Sequence, residues 1–341
     1  MTSVIVKENK DIEQNAAREP LVKVDRLTVR FDAGRKGFWG QQRQIVHAVE
    51  GVSFKIYPGE TLGLVGESGS GKSTTGRAIL RRIPTAAGSI VFRGQDITHL
   101  EKNELRPIRR HMQMVFQDPY ASLNPRMRVL ETIAEPLIVY GRAKNLREAI
   151  PFVAELLKMV GLPHDAGGRY PHAFSGGQRQ RIGIARALAL HPEFIVADEP
   201  VSALDVSIRA QVVNLMQDLQ QKMGLTYLFI AHDLAVVRHI SHRIAIMYAG
   251  KIMETAGRDS IYENPIHPYT EALLTAVPVP DPKIQKARKR VFYAGEVPNP
   301  LNPPVGCRFQ SRCLYRSARC FEEEPPMQEK KPDHWAACWN R

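Results

Sequence analysis

The sequence lacks several features that would assign it to a class immediately. No apolar run approaches the ~20 residues that a membrane-spanning helix needs. Residues 1–20 are polar and charged and lack the apolar centre of a secretory leader. No repeat of the whole chain and no long heptad pattern occurs either. These absences argue against a membrane span and a long coiled coil, and they predict that the chain stays in the cytoplasm.

Cysteine is scarce and confined to one segment. The chain of 341 residues contains four cysteines, at Cys307, Cys313, Cys320 and Cys338. In a reducing compartment such a group favours a metal site over disulfides, and four thiolates suit a [4Fe–4S] cluster or Zn²⁺. The spacing C-x5-C-x6-C-x17-C lacks the C-x2-C pairs of zinc ribbons, which favours the iron–sulfur cluster. Zn²⁺ and buried thiols without a metal remain alternatives.

Negative charge is in the minority. The 47 Lys and Arg residues outnumber the 35 Asp and Glu residues, which gives a formal net charge of +12. This excess predicts an anionic partner, and a nucleotide, a nucleic acid or the inner leaflet of a membrane would each satisfy it. The basic run from Lys283 to Arg290 is consistent with a solvated face or with a segment near anionic lipid headgroups.

A glycine-rich loop carries the most specific signal. It follows the apolar run from Thr61 to Val65 and precedes a helical pattern. Its residues, in the pattern G-x-x-x-x-G-K-S, are Gly66, Glu67, Ser68, Gly69, Ser70, Gly71, Lys72 and Ser73. Glycines allow the positive φ angles that turn successive N–H groups toward a phosphate, and the helix adds its positive N-terminal end. Lys72 would neutralise phosphate oxygens and Ser73 would hold Mg²⁺.

Apolar runs and helical patterns alternate along the chain, which predicts an α/β fold. Short apolar runs end at Asp198 and at His232, as central parallel strands do. We expect a RecA-like phosphate-loop NTPase core with an N-terminal antiparallel β-subdomain, an inserted α-helical subdomain and a small C-terminal cysteine-containing extension. The predicted boundaries are a polar tail at 1–20, the core at 21–118 and 190–260, the insertion at 119–189 and the extension at 261–341. Helices of the insertion are predicted to break at Pro136 and Pro151.

Two further motifs could complete a phosphate site. Asp198 would lie near the Mg²⁺ held by Ser73, and Glu199 could orient an attacking water or accept its proton. A solvated acidic turn is the alternative for this pair. The run Ser175-Gly176-Gly177-Gln178 opens a helix and could bind an anion through its N–H groups, although a plain helix cap would look the same.

The order of these motifs resembles the nucleotide-binding subunit of an ABC transporter over roughly Leu21 to Glu254. The resemblance implies ATP and Mg²⁺ as cofactors and Glu199, His232 and Lys72 as catalytic residues, with His232 as the switch on the γ-phosphate. The implied ATP contacts are Phe31, the loop from Gly66 to Ser73, Thr74 and Gln117, and the implied Mg²⁺ ligands are Ser73, Gln117 and Asp198.

The same resemblance implies a head-to-tail dimer that ATP holds together. Ser175, Gly176, Gly177 and Gln178 form the signature loop and, with Asp205, would bind ATP across the dimer. Gln117 would couple the site to a membrane partner. Phe38 and Trp39 are alternatives to Phe31 as the aromatic residue on adenine.

Finer features resemble the ATPase subunits of oligopeptide, dipeptide and nickel importers. The segments from Gln117 to Pro125 and from Asn264 to Thr270 carry this likeness, together with the cysteines. It implies a second ATPase subunit, favoured to be a paralogue, two transmembrane permease subunits, an extracytoplasmic substrate-binding protein and no nucleic acid. The chain would be peripheral at the cytoplasmic face of the inner membrane.

Two questions stay open at this point. The cargo could be a peptide, nickel, an opine or a glutathione-like compound. The alternative class is a soluble ABC-type ATPase that acts on nucleic acid or ribosomes, and the lack of a coiled coil and of a second cassette speaks against it.

Overall fold

The computed structural model describes residues 19–36, 42–276 and 295–341. Phe38, Trp39 and the basic run from Lys283 to Arg290 lie outside these residues. The strands are β1 (Val22–Lys36), β2 (Gln42–Ile56), β3 (Thr61–Val65), β4 (Ala87–Phe92), β5 (Gln95–Asp96), β6 (Met112–Val115), β7 (Phe194–Asp198), β8 (Thr226–Ala231), β9 (Arg243–Tyr248), β10 (Lys251–Gly257), β11 (Gln328–Lys331) and β12 (His334–Ala336). The helices are α1 (Lys72–Ile79), α2 (Lys102–Arg109), α3 (Val129–Val139), α4 (Leu146–Met159), α5 (Gly176–Leu188), α6 (Val206–Met223), α7 (Leu234–Ile240), α8 (Arg258–Glu263), α9 (Pro268–Ala276) and α10 (Arg319–Glu322).

Parallel strands form the centre of the larger sheet, whose strand order is β11-β12-β10-β9-β3-β8-β7-β6. The run from β9 to β6 is parallel, and every residue of β3, β7 and β8 is buried. Such wholly buried, mostly apolar strands belong where both faces of a sheet are covered. The register pairs Val65 with Ala231 and Asp198 with Ile230. The carboxyl ends of β3, β7 and β8 therefore reach the same edge of the sheet.

The smaller sheet is antiparallel, with the order β2-β1-β4-β5. Its apolar side chains pack on the larger sheet, because Val24, Val52 and Ile90 share one buried cluster with Leu62 and Val196. The two sheets together confirm the predicted phosphate-loop core with an antiparallel subdomain.

The inserted helices α3, α4 and α5 lie between β6 and β7 in the chain. Ile133, Val153 and Ile182 of these helices belong to one buried cluster. The predicted helix breaks do not occur, because Pro136 lies inside α3 and Pro151 inside α4. Burial of the apolar side of each helix outweighs the loss of one backbone hydrogen bond at the proline.

The C-terminal extension continues the larger sheet. Strand β12 pairs with β10 through Glu254 with Ala336 and Thr255 with Trp335, and β11 pairs with β12. The extension therefore packs directly on the core. Within the described parts of the chain, no helix is both long enough and apolar enough to cross a membrane.

Candidate active site

The glycine-rich loop is tightly enclosed between β3 and α1. Gly69 and Gly71 have φ angles of 78° and 102°, a region that favours glycine. A Cβ atom on Gly71 would lie 2.4 Å from the carbonyl oxygen of Ala48, and one on Gly66 would lie 2.0 Å from that of Met247. Both positions therefore require glycine. Along the loop, Ser68 and Gly69 are exposed and Ser70 is buried, whereas Ser73 and Thr74 are half-buried.

The ammonium group of Lys72 lies inside this loop. The side chain is 4% exposed, and Nζ donates to the carbonyl oxygens of Gly66 at 2.9 Å and Glu67 at 2.8 Å and to Ser70 Oγ at 3.3 Å. Burial lowers the pKa of Lys72, and the carboxylates of Glu199, Asp198 and Glu67 partly oppose this effect. The loop thus holds a positive charge where an anion would enter it.

Ser73 and Asp198 form a pair of oxygen donors. Ser73 Oγ donates to Asp198 Oδ1 at 2.6 Å, and the Asp198 residue is 1% exposed. Its Oδ2 accepts no hydrogen bond from the described residues, and the nearest cation there is Arg77 Nη2 at 3.7 Å. Burial raises the pKa of Asp198, while the Ser73 hydroxyl and Arg77 act in the opposite direction. A buried carboxylate with an unpartnered oxygen beside a hydroxyl fits the oxygen ligands that Mg²⁺ prefers.

Three predicted site residues meet at the ends of the parallel strands. Gln117 Nε2 donates to Glu199 Oε2 at 3.0 Å, and His232 Nδ1 lies 3.3 Å from the same oxygen. Glu199 adopts φ 45°, an uncommon backbone conformation for a non-glycine residue, and its N–H donates to the carbonyl oxygen of Ile230 at 2.9 Å. The carboxylate of Glu199 is thereby held between an amide and an imidazole. Gln117 contacts Glu199 here, so its role as a Mg²⁺ ligand stays a prediction.

Phe31 lies on β1 and is 39% exposed, which leaves its ring accessible. Its alternatives as the residue on adenine, Phe38 and Trp39, lie outside the described residues. The assignment of Phe31 stays a prediction.

The Ser-Gly-Gly-Gln loop caps helix α5. The N–H of Gln178 donates to Ser175 Oγ at 3.4 Å, and the N–H of Ser175 donates to Gln178 Oε1 at 3.0 Å, which is a reciprocal capping box. Ser175 and Gln178 are exposed, as is Asp205 at the start of α6. Among the described residues, no hydrogen bond or ion pair joins this loop to the loop of Lys72. One chain therefore presents two separate helix starts, one at Lys72 and one at Gly176.

Known families match both the core and the extension. The family described as ABC transporter matches residues 49–202, and the oligopeptide/dipeptide transporter C-terminal region matches residues 253–320. The oligopeptide transport ATP-binding protein AppF of Bacillus subtilis is 54% identical over 305 residues, which cover 89% of this chain and 92% of AppF. The chain belongs to the ATP-binding subunits of ABC transporters. It is accordingly an ABC-type ATPase.

Further relatives support this membership of the ABC family. The oligopeptide transport ATP-binding protein OppF of Escherichia coli is 49% identical over 313 residues, covering 91% of this chain and 93% of OppF. The ATP-binding cassette MJ0796, solved as a dimer in a post-hydrolysis state with ADP and Pi, is 32% identical with a TM-score of 0.62 and covers 70% of this chain and 98% of its own. The nucleic-acid alternative gains no support from these relatives.

The four cysteines of this ABC subunit lie in one buried region. Cys307 and Cys320 are buried, Cys313 and Cys338 are half-buried, and all are free thiols. Burial raises the pKa of Cys307 to about 12, and the three neighbouring thiols add to the rise. Within the described residues, however, no group of three or more His, Cys, Asp or Glu side chains is arranged to hold a metal ion. The predicted [4Fe–4S] or Zn²⁺ site therefore has no support in this arrangement.

Sequence reasoning missed a contact between the extension and the phosphate loop of the ABC cassette. Arg312 Nη1 lies 2.9 and 3.0 Å from the two carboxylate oxygens of Glu67, and the N–H of Glu67 donates to Tyr269 Oη at 2.9 Å. Tyr269 belongs to a segment already noted for its family likeness. No sequence pattern links Glu67 with Tyr269 or with Arg312, which lie 202 and 245 positions further along the chain.

Proposed function

We propose that this ATPase powers a membrane importer of peptides or related small solutes. The observation that carries the proposal is the contact of Gln117 and His232 with Glu199, next to the Ser73–Asp198 pair. The same chain matches the oligopeptide/dipeptide transporter C-terminal region. The relatives AppF and OppF bear the name of oligopeptide transport, which supports a peptide cargo.

Each residue of the site has a defined task in ATP hydrolysis. Lys72 and the loop N–H groups would bind phosphate oxygens, and Ser73 and Asp198 would hold Mg²⁺. Bound Mg²⁺ would neutralise charge on the phosphate oxygens. Glu199 orients the attacking water and accepts its proton, while Gln117 and His232 keep the Glu199 carboxylate in place.

A head-to-tail dimer would complete the site. Ser175, Gln178 and Asp205 are exposed, and no hydrogen bond or ion pair among the described residues joins them to the loop of Lys72, so they are free to serve a neighbouring subunit. The dimeric form of the related cassette MJ0796 supports this assembly. ATP would favour the closed pair because it binds both surfaces at once, and hydrolysis would release them. We expect the second ATPase subunit to be a paralogue.

A groove beside Gln117 would receive a segment of one permease subunit. It has a volume of about 670 Å³ and is lined by residues of the core and of the inserted helices, among them Phe116, Gln117, Glu135 and Arg186. Because Gln117 Nε2 contacts Glu199 at 3.0 Å, a permease segment bound there would act on the hydrolytic carboxylate through one side chain. An extracytoplasmic binding protein would deliver the cargo, and the chain would lie peripherally at the cytoplasmic face of the inner membrane.

Replacement of Glu199 by glutamine tests the proposal. In a reconstituted transporter whose second ATPase subunit already carries the corresponding glutamate-to-glutamine change, Glu199→Gln should retain ATP binding and lower the remaining hydrolysis rate by about 100-fold or more, because the amide accepts no proton. Peptide uptake should fall with it. The control is Glu155→Gln, which alters an exposed glutamate of α4 and should leave both rates unchanged. Equal hydrolysis by the two variants would contradict the role of Glu199.

We keep a metal centre at the four cysteines as a separate hypothesis. Burial raises the pKa of Cys307 and of Cys313, and neighbouring thiols add to both rises. Asn340 Nδ2 lies 3.6 Å from Cys320 Sγ as a donor to sulfur. Metal binding would convert buried thiols into ligated thiolates and would draw the side chains together. Anaerobically purified protein should contain about four iron and four sulfide per chain if the site holds the cluster, or about one zinc in its place. Protein with neither metal would contradict the hypothesis.

A further inference from the structure

We infer that Arg312, in the C-terminal extension, is a positioning residue for ATP binding: it neutralises the Glu67 carboxylate within the phosphate loop. The inference rests on the ATPase function proposed above and adds to it a residue outside the cassette motifs.

Glu67 is held at each of its polar groups. Its N–H donates to Tyr269 Oη at 2.9 Å, and its carbonyl oxygen accepts from Lys72 Nζ at 2.8 Å. Its carboxylate oxygens accept from Arg312 Nη1 at 3.0 and 2.9 Å. Tyr269 and Arg312 both belong to the extension. Two of the three constraints on this loop residue therefore come from outside the core.

Arg312 is itself fixed by aromatic side chains. Its guanidinium carbon lies 5.7 Å from the ring centroids of both Tyr248 and Phe309, and Nη1 lies 3.4 Å from Tyr248 Oη. The rings of Tyr248, Tyr269 and Phe309 are fully buried, with centroids 4.6 to 5.4 Å apart. A guanidinium held on packed rings loses little conformational freedom when it binds a carboxylate. This ion pair should thus contribute more than one between two mobile surface side chains.

The ion pair matters because Glu67 places a negative charge in a loop that must bind anions. Its carboxylate is one of three that act on the Lys72 ammonium. ATP brings several negative charges to the same ammonium. Without Arg312, the Glu67 carboxylate would repel the phosphates and compete for Lys72. With Arg312, the two charges of the pair largely cancel.

The test uses Arg312→Gln in the full-length chain, with MgATP, MgADP and adenosine as probes. Glutamine removes the charge and keeps a polar side chain. We expect the Kd for MgATP to rise about tenfold, or about 1.4 kcal/mol, as measured by calorimetry. The rise should be smaller for MgADP and absent for adenosine, because the repulsion depends on phosphate charge. In the assembled transporter, KM for ATP should rise while kcat stays within about twofold, since Glu199 and His232 are untouched.

Two further variants separate charge from folding. Glu67→Gln in the Arg312→Gln background removes the unpaired carboxylate and should return the Kd for MgATP to within about threefold of the wild-type value. Arg319→Ala is the matched control, since this arginine lies in the same extension and pairs with Glu323 at 2.9 Å. It should change the Kd by less than about twofold.

Several results would overturn the inference. One is equal MgATP affinity in Arg312→Gln and Arg319→Ala, and another is a double variant that binds no better than Arg312→Gln. Equal loss for MgATP and adenosine would indicate general disruption. If Arg312→Gln does not fold, the double variant decides: folded protein with near-normal affinity supports the inference, and unfolded protein overturns it. A wild-type chain that binds no ATP would refute the ATPase function itself, so the two failures are distinct.

Discussion

The buried carboxylate of Glu254 holds the start of the C-terminal extension against β10. Glu254 is fully buried, accepts from the N–H groups of Ile266 and His267 at 2.8 Å each, and lies 2.6 Å from His334 Nε2 on β12. A carboxylate buried without partners would cost several kcal/mol. These three contacts therefore fix the path of the chain into α9, which carries Tyr269.

His267 makes stability depend on pH in this region. Burial lowers the pKa of His267 to about 4, whereas a histidine in an unfolded chain titrates near 6.5. Between these values the unfolded chain binds a proton that the folded chain does not. The contribution of His267 to the free energy of unfolding should therefore be fully present above about pH 6.5. It should be lost as the pH falls toward 4, and the loss should amount to about 3 kcal/mol.

The variant His267→Asn isolates that contribution. His267 Nδ1 accepts from the N–H of Tyr269 at 3.1 Å, and the asparagine side-chain oxygen can take over this contact without titrating. Urea unfolding at pH 7 and pH 4.5 should show a smaller loss of stability at low pH in the variant than in the wild type. Equal losses in the two proteins would contradict a neutral, buried His267.

At the scale of elements, the central strands and their ends could be predicted from the sequence. Strands β7 and β8 are short and mostly apolar, with Asp198 ending β7 and Thr226 beginning β8, a pattern typical of parallel strands covered on both faces. Because parallel strands end at one edge, the same pattern places Asp198, Glu199 and His232 together. In the structure these residues lie at that edge, and His232 Nδ1 is 3.3 Å from Glu199 Oε2.

Elements that depend on distant contacts could not be predicted in this way. Strand β11 reads Gln-Glu-Lys-Lys and has no apolar alternation, so only its pairing with β12 shows that it is a strand. Helix α4 continues through Pro151 because its buried residues, such as Ala149 and Val153, pack on the neighbouring helices. The Arg312–Glu67 ion pair has no local pattern at all. In each case tertiary packing decides the outcome.

At the scale of the whole molecule, the proposed head-to-tail pair assigns this chain two half-sites, both of which would face the second subunit. The phosphate loop, Asp198 and Glu199 would form one, and the loop of Ser175 to Gln178, with its exposed ends, would form the other together with Asp205. A head-to-tail pair would then contain two composite sites, each built from one half-site of either subunit. The placement of two substitutions distinguishes these composite sites from ATP sites that each lie within one chain.

The substitutions are Lys72→Ala and Ser175→Arg. They are made in transporters in which Glu199 of this chain and the corresponding glutamate of the second ATPase subunit are already replaced by glutamine, so that bound ATP is not hydrolysed. With Lys72→Ala in this chain and the signature serine of the second subunit replaced, both defects fall in one composite site. About one ATP per complex should then remain bound after rapid gel filtration. With Lys72→Ala and Ser175→Arg in this chain, each composite site has a defect, and almost no ATP should remain. The reverse result would show that Lys72 and Ser175 of one chain serve the same ATP.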